Sequence, residues 1–340
     1  MKAIGYFTPL PIDHAESLVE LELPAPLPGP RDLLVRVRAV SVNPVDTKLR
    51  AGVQPAAGQP RVLGWDATGI VEATGSEVQH YRVGDRVFYA GSIERPGTNA
   101  ELHAVDERIV GRAPERVDDL QAAALPLTSI TAWELLFDRL KVPRGGGAGQ
   151  ALLVIGGAGG VGSVLIQLAR QLTELRVIAT ASRPETRQWC LDLGAHDVID
   201  HSQALQPQLK ALALDGVAMV ASLTQTDQHF DAIVEALLPQ GQLALIDDPK
   251  GLDIGKLKRK SLSLHWELMF TRSLYGTPDL GKQRELLNEV AALVDAGRIR
   301  STAQADYGTL SATNLRRAHA LIESGKAQGK LVLRGFETAA

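Results

Sequence analysis

The chain has 340 residues, with 36 Lys and Arg against 39 Asp and Glu and a formal net charge of −3, so neither nucleic acid nor an anionic membrane is an expected partner. Its one cysteine, Cys190, excludes an intramolecular disulfide and suits a reducing compartment. The length favours two domains, with enough chain to bury a core without staples.

The N-terminus lacks a long apolar segment and carries Asp13 and Glu16 early, so no secretory signal is read and a soluble, cytoplasmic protein is expected. Short apolar runs at 33–40, 69–75, 83–90 and 101–105 are broken at close intervals by Gly and Pro, the pattern of a β-rich, barrel-like unit. From residue 125 the rhythm changes. Residues 130–140 have helical spacing. Strands at 151–155, 175–181, 197–200, 217–223 and 242–247 then alternate with helices at 161–172, 184–193, 204–212 and 226–237. Such a βαβ series builds a doubly wound parallel sheet. Residues 261–270 add a further strand. A helix at 282–296 ended by Gly297, a second at 312–323 and a short strand at 330–333 complete the tail, which returns to the first domain. The expected division is 1–125, 126–265 and 266–340, the last part rejoining the first.

Residues 151–172, ALLVIGGAGGVGSVLIQLARQL, read as a buried strand, a glycine turn and an amphipathic helix. Gly157, Gly159 and Gly162 fit G-x-G-x-x-G, with Ala158, Gly160 and Val161 between them. In that pattern one glycine allows a tight turn, one lets backbone approach a pyrophosphate, and one lets helix and strand pack closely. The helix that follows aims its unpaired N–H groups and positive dipole end at the anion. Residues 145–169 carry no charge, but their glycines, Gln150 and Gln167 argue against a membrane span. The second strand of the unit ends in ATASRPE, residues 179–185, with Ser182 standing twenty residues beyond Gly162. A carboxylate here would accept the ribose hydroxyls of NAD(H). Ser182 and Arg183 instead suit a 2′-phosphate, because a guanidinium bonds phosphate oxygens with charge assistance. The expected cofactor is therefore NADPH. Glu185 is the nearest carboxylate and fits the first turn of the next helix, while Arg183 also fits a solvated surface charge.

Taken in order, SVNPVDTKLRAG (41–52), VLGWDATGIVEATGSEV (62–78), VGDRVF (83–88), ALPLTSITAWELLF (124–137), GGAGGVG (156–162), LGAHDVIDH (193–201) and GKLVL (329–333) resemble the medium-chain dehydrogenase/reductase superfamily. The nearest likeness is to its quinone-oxidoreductase branch and zinc-type alcohol-dehydrogenase-like relatives. The resemblance runs over essentially the whole chain. It implies a mixed α/β protein, with a GroES-like catalytic domain formed by both termini around a central Rossmann domain and an active site in the cleft between. It also implies a homodimer paired through the strand at 261–270. Carried over by position, Gly157 to Gly162 take the pyrophosphate and Ser182 with Arg183 the 2′-phosphate. His201 stands where quinone reductases often place a tyrosine near the adenosine. Thr128 contacts the nicotinamide side, and Gly329 and Lys330 close over the cofactor. Lys330 equally fits a surface lysine at a strand start.

In zinc-dependent members a metal held by thiolate and imidazole polarises the substrate oxygen. The family's first cysteine ligand falls in the segment that here reads Ser41, Val42, Asn43, Pro44, and its histidine is replaced by Trp65. The four-cysteine structural lobe is absent from the sequence, and His103 with Asp66 make only a scattered pair. No catalytic zinc is expected. Hydride delivery without a Lewis acid favours a quinone or an α,β-unsaturated carbonyl, where conjugation spreads the developing charge. Asn43, Asp46 and Lys48 are the candidate catalytic residues: an amide donor, a group that orients it or shapes a water path, and a positive charge. Asn43-Pro44 is also good turn chemistry, and Asp46 also suits a helix cap. Two other functions stay open, a zinc alcohol dehydrogenase and a non-catalytic NADPH-binding protein.

Overall fold

The computed structural model describes residues 1–337. The chain divides into two compact units, Met1–Ile130 together with the chain from Phe270 onward, and Thr131–Met269. The changeovers lie a few residues further along than the rhythm of the sequence places them.

The first unit opens with β1 (Lys2–Tyr6), β2 (Val19–Glu22), β3 (Asp32–Val42), α1 (Pro44–Gly52), β4 (Arg61–Val62), β5 (Ala67–Thr74), β6 (Arg86–Tyr89), β7 (Leu102–Asp106) and β8 (Val110–Arg112), followed by α2 (Asp119–Ala123) and α3 (Pro126–Trp133). β1 lies between β2 and β4 in a small sheet of three strands. β3 is the organising strand. Its first half alternates, with Leu33, Val35 and Val37 buried and Arg36 and Arg38 turned outward. A register shift against β5 falls between Val37 and Ala39, and the last residues, Ala39 to Val42, are all buried. The irregularity turns a one-sided strand into an interior one and carries the chain inward to Asn43, where α1 begins.

The second unit is a βαβ series: β9 (Ala151–Ile155), α4 (Gly160–Leu172), β10 (Arg176–Thr180), α5 (Pro184–Asp192), β11 (Asp197–Ile199), α6 (Leu205–Ala211), β12 (Val217–Ser222), α7 (Thr226–Ala236), β13 (Leu237–Leu245) and β14 (Ser263–Trp266). The strands are parallel in the order β11-β10-β9-β12-β13-β14, the nucleotide-binding order with a reversal beside β9. Every residue of β9 is buried, as expected where helices cover both faces of a parallel sheet. Leu153, Ile155, Ile178, Val220, Phe230 and Leu243 form part of its core. Between α3 and β9 the expected helix continues as a π-turn over Glu134–Arg139. The run Asp119–Arg139 is long and apolar enough to cross a membrane, but 78% of its most apolar window is buried within the protein.

The chain then rejoins the first unit through α8 (Thr271–Tyr275), α9 (Lys282–Asp295), β15 (Ala303–Thr309), α10 (Ala312–Glu323) and β16 (Lys330–Arg334). β16 pairs antiparallel with β3 and parallel with β15, so the large sheet joins strands from both ends of the sequence. β1, β2 and β15 lie outside the apolar runs of the sequence; β2 and β15 are half exposed, and β1 is a short strand, KAIGY, buried except at Lys2.

α4 sits close against β9 because Gly162 has no side chain. A Cβ there would stand 2.5 Å from the Gly156 carbonyl oxygen and 2.6 Å from that of Gly157, both fixed backbone atoms. A Cβ on Gly159 would stand 3.5 Å from its nearest neighbour, an ordinary contact. Gly162→Ala is expected to lower stability by about 1–3 kcal/mol through overpacking, and Gly159→Ala by under about 1 kcal/mol. Urea unfolding of the two variants side by side checks the contrast.

Candidate active site

The turn after β9 gathers residues 157–162 at the carboxyl end of the central strand. Gly156, one residue before the sequence motif, supplies the left-handed conformation at φ +82°. Its N–H donates to Thr180 Oγ1 at 3.1 Å, and that of Gly157 to the Thr180 carbonyl at 3.2 Å, tying the loop to β10. Gly157 serves close packing, since a Cβ there would meet Ala179 Cβ at 2.8 Å and Cys190 Sγ at 3.1 Å. Burial pushes the Cys190 thiol up to about 12, which makes it an inert packing group. Gly159 is the N-cap of α4 and offers no side-chain acceptor to the first-turn N–H groups. α7 differs. Asp247 accepts the Thr226 N–H at 2.8 Å and its hydroxyl at 2.5 Å, with Ser222 Oγ 2.8 Å from that hydroxyl. A carboxylate already neutralises the start of α7, whereas α4 keeps a positive end suited to an anion.

At the end of β10, Ser182 is exposed and Arg183 is the N-cap residue of α5. The Arg183 guanidinium pairs with Glu185 in the first turn, Nε to Oε1 3.2 Å. His201 follows β11 and meets His229 of α7 edge to face, with ring centroids 5.7 Å apart.

In the other unit the interior end of β3 holds a charged cluster. Asp66, fully buried, accepts four hydrogen bonds: at Oδ2 from Ser41 Oγ (3.0 Å), Asn43 Nδ2 (2.8 Å) and Lys330 Nζ (3.0 Å), and at Oδ1 from the Leu127 N–H (2.7 Å). Burial raises its carboxyl, while Lys330, Asn43 and Leu127 pull the other way. The four donors converging on Asp66 favour its carboxylate form. Lys330 is buried, which rules out the surface lysine allowed by the sequence. Its ammonium donates to the Val42 carbonyl at 3.0 Å, to Asn43 Oδ1 and to Asp66, so all three N–H bonds are used inside this unit. Two features of the chain signal the pair. Asp66 is the one charged residue between Arg61 and Glu72, and Lys330 opens the apolar run LVL.

Asn43 and Asp46 come together here, but Lys48 does not. Asp46 Oδ2 accepts the Asn43 N–H at 2.7 Å, the reciprocal bond of a helix capping box. Its Oδ1 is buried without a hydrogen-bond partner. Burial pushes the Asp46 carboxyl up to about 7, against the Asn43 N–H and the Lys330 charge, with the Asp66 charge adding to the rise. Asn43 spends its amide on Asp66 and Lys330 and is a bracket rather than a free donor. Lys48 is exposed on α1. Thr128 is buried and donates to the carbonyl of Leu125, the residue just before its helix, at 3.1 Å. Gly329 is buried with φ +56° and delivers the chain into β16. Trp65 is a core residue, edge-on to Phe270 and donating Nε1–H to the Ser92 carbonyl at 3.1 Å. His103 is engaged by the Pro96 carbonyl at 2.9 Å and the Tyr89 hydroxyl at 3.2 Å, and burial lowers its imidazole to about 4.

A doubly wound sheet with this strand order and a glycine turn into an uncapped helix defines the dinucleotide-binding class of α/β fold. Comparison with known proteins agrees. Residues 29–115 match the alcohol dehydrogenase GroES-like domain and residues 193–333 the zinc-binding dehydrogenase family. A zinc-type alcohol dehydrogenase-like protein of Staphylococcus aureus is 39% identical, covering 98% of this chain and 99% of its own length. The quinone oxidoreductase of Pseudomonas aeruginosa is 32% identical, covering 90% and 92%. A Rhizobium etli crystal structure named among zinc-dependent alcohol dehydrogenases is 56% identical with a TM-score of 0.95, covering 99% of each chain. The NADPH complex of Escherichia coli quinone oxidoreductase is 26% identical with a TM-score of 0.83, covering 98% and 100%. The chain belongs to the medium-chain dehydrogenase/reductase superfamily of oxidoreductases.

Zinc, which several of those names imply, does not fit the donors present. Among the described residues no three His, Cys, Asp or Glu side chains gather to hold a metal. Cys190 lies in the other unit beneath Gly157, and the cation beside Asp66 is the Lys330 ammonium.

Two expectations follow. Lys330→Met leaves the Asp66 carboxylate buried without its cation, at a cost of roughly 3–5 kcal/mol. Adding Asp66→Asn should recover most of that loss in chemical denaturation. The folded protein also keeps the Asp46 proton from the ordinary value of 3.8 up to about 7, a range in which the unfolded chain has released it. Stability therefore falls as pH rises through that window. Asp46→Asn should shrink the drop in Tm between pH 5 and pH 8 by roughly 2–4 °C, which thermal melts at the two pH values measure.

Proposed function

We propose that this chain is an NADPH-dependent, zinc-independent reductase that transfers hydride to a quinone or an α,β-unsaturated carbonyl. The observation that carries the reading is the Lys330–Asp66 pair at the interior end of β3. The positive charge there belongs to the chain and is saturated by three oxygen acceptors. Neither Asn43 nor Trp65 offers the thiolate or imidazole a zinc ion needs. Without a Lewis acid, a simple ketone is a poor hydride acceptor, whereas conjugation lowers the demand for polarisation.

In this reading the first-turn N–H groups of α4, with residues 157–162, hold the pyrophosphate. Ser182 and Arg183 hold the 2′-phosphate, and His201 stands at the adenosine end. Thr128, Gly329 and the backbone of Lys330 border the nicotinamide. The bound coenzyme supplies the hydride. Asn43 and Asp46 fix the start of α1, Asp46 gives a titratable group near neutrality for a water path, and Lys48 adds positive charge at the surface. The outer edge of β14 is unpaired in the sheet order, and Trp266 and Leu268 beside it are about half exposed. These features support a homodimer through that edge. The single buried cysteine supports a cytoplasmic location.

Purified protein should oxidise NADPH faster than NADH in the presence of a quinone or enone, with and without a chelator. Arg183→Ala should raise the KM for NADPH about tenfold or more through a lost charge-assisted bond, with little change for NADH. An equal response of both coenzymes removes the 2′-phosphate assignment. Loss of turnover on chelation removes the metal-free reading. Binding of NADPH without turnover across quinones, enones and aldehydes assigns a binding protein instead.

A further inference from the structure

The Arg183–Glu185 pair bears on how firmly this chain distinguishes its two possible coenzymes. The backbone beneath it is held on several sides. The Arg183 carbonyl accepts from Thr186 Oγ1 and from the Arg187 N–H, each at 2.9 Å. Arg187 also clamps the neighbouring strand ends, donating Nη2 to the Val198 carbonyl at 2.8 Å and Nη1 to that of Ala181 at 3.4 Å. The loop is thus fixed while the charged tips stay in solvent, the Arg183 side chain 41% and the Glu185 side chain 61% exposed. Glu185 does more than meet a helix dipole, because its Oε1 sits on the Arg183 Nε.

We propose that Arg183 and Glu185 form a two-way coenzyme selector, in which Glu185 competes with the 2′-phosphate of NADPH for the guanidinium and accepts the 2′-hydroxyl of NADH. The proposal rests on the reading that a pyridine dinucleotide lies at the ends of β9 and β10. An exposed ion pair is weak and screened by salt, whereas a guanidinium–phosphate contact is charge-assisted and well matched in geometry. A 2′-phosphate therefore draws Arg183 off Glu185, and part of the contact is spent on breaking the pair. With NADH no phosphate competes, and the carboxylate can accept a ribose hydroxyl. Glu185 therefore narrows the preference for NADPH, and Arg187 acts as a positioning residue that keeps the loop in register for both coenzymes.

The test is a direct binding titration of NADPH and NADH by coenzyme fluorescence on the full chain, comparing wild type with Glu185→Gln and Arg183→Ala. Glu185→Gln should tighten NADPH about two- to fivefold, the range of an exposed ion pair, and weaken NADH about threefold or more through a lost charged acceptor. Arg183→Ala should weaken NADPH and leave NADH unchanged or slightly tighter. If wild type binds NADPH but Glu185→Gln leaves the ratio of the two Kd values within twofold of wild type, the selector is overturned while the coenzyme assignment stands. If wild type binds neither coenzyme, both fall together.

Discussion

The first unit depends on a buried carboxylate that cannot stand alone. Taking Asp66 out of water is tolerable because four donors from four parts of the chain converge on it: Ser41 at the end of β3, Asn43 at the start of α1, Leu127 in α3 and Lys330 on the returning strand. Lys330 in turn needs all its acceptors, and one of them is the Asn43 side chain that Asp66 also holds. The three side chains form a closed ring in which each partner satisfies two others. Such a network is sensitive to any single loss, because low surrounding polarity strengthens made bonds and penalises unmade ones together. It also decides the chemistry available near α1. Interior positive charge is present, but it is committed to structure.

In the second unit two comparable helix starts, those of α4 and α7, meet different electrostatic surroundings. α4 and α7 both start at the carboxyl edge of the parallel sheet, and both carry a partial positive charge there. Asp247 closes the end of α7 through Thr226, while the glycines before α4 bring no acceptor. The same glycines allow close packing, so the open end is held rigidly. The placement of a single carboxylate thus distinguishes two similar termini, that of α7 being neutralised and that of α4 keeping its partial positive charge.

Much of this architecture was legible in the chain. The alternation of buried apolar runs with amphipathic segments marks the parallel sheet because strands covered on both faces have no polar side to blur the signal. The helix at Ala312–Glu323 and the stop at Gly297 follow from apolar spacing and from glycine at φ +68°. β2 and β15 gave no such signal, since they are half exposed and charged residues interrupt them. The glycine motif located the turn but not the residue with positive φ, which is Gly156, because steric demand and local sequence pattern are separate constraints. The charged site was the least legible part. Whether Lys330 faces water or an interior carboxylate depends on β16 pairing with β3, and no local window contains both strands. Lys48 shows the reverse, being near Asn43 in sequence yet pointing to solvent from the far side of a helical turn.

The pairing of β16 with β3 also has a bearing on the birth of the molecule. The Lys330–Val42 bond spans 288 residues of chain, so a nascent polypeptide emerging from the ribosome cannot finish the first unit until its last strand appears. The second unit is continuous and can fold as soon as it emerges. Until then the Ala39–Val42 stretch of β3 lacks its β16 neighbour and Asp66 lacks the Lys330 cation. Synthesis from one end to the other thus imposes an order in which the nucleotide fold comes first and the amino-terminal half closes last.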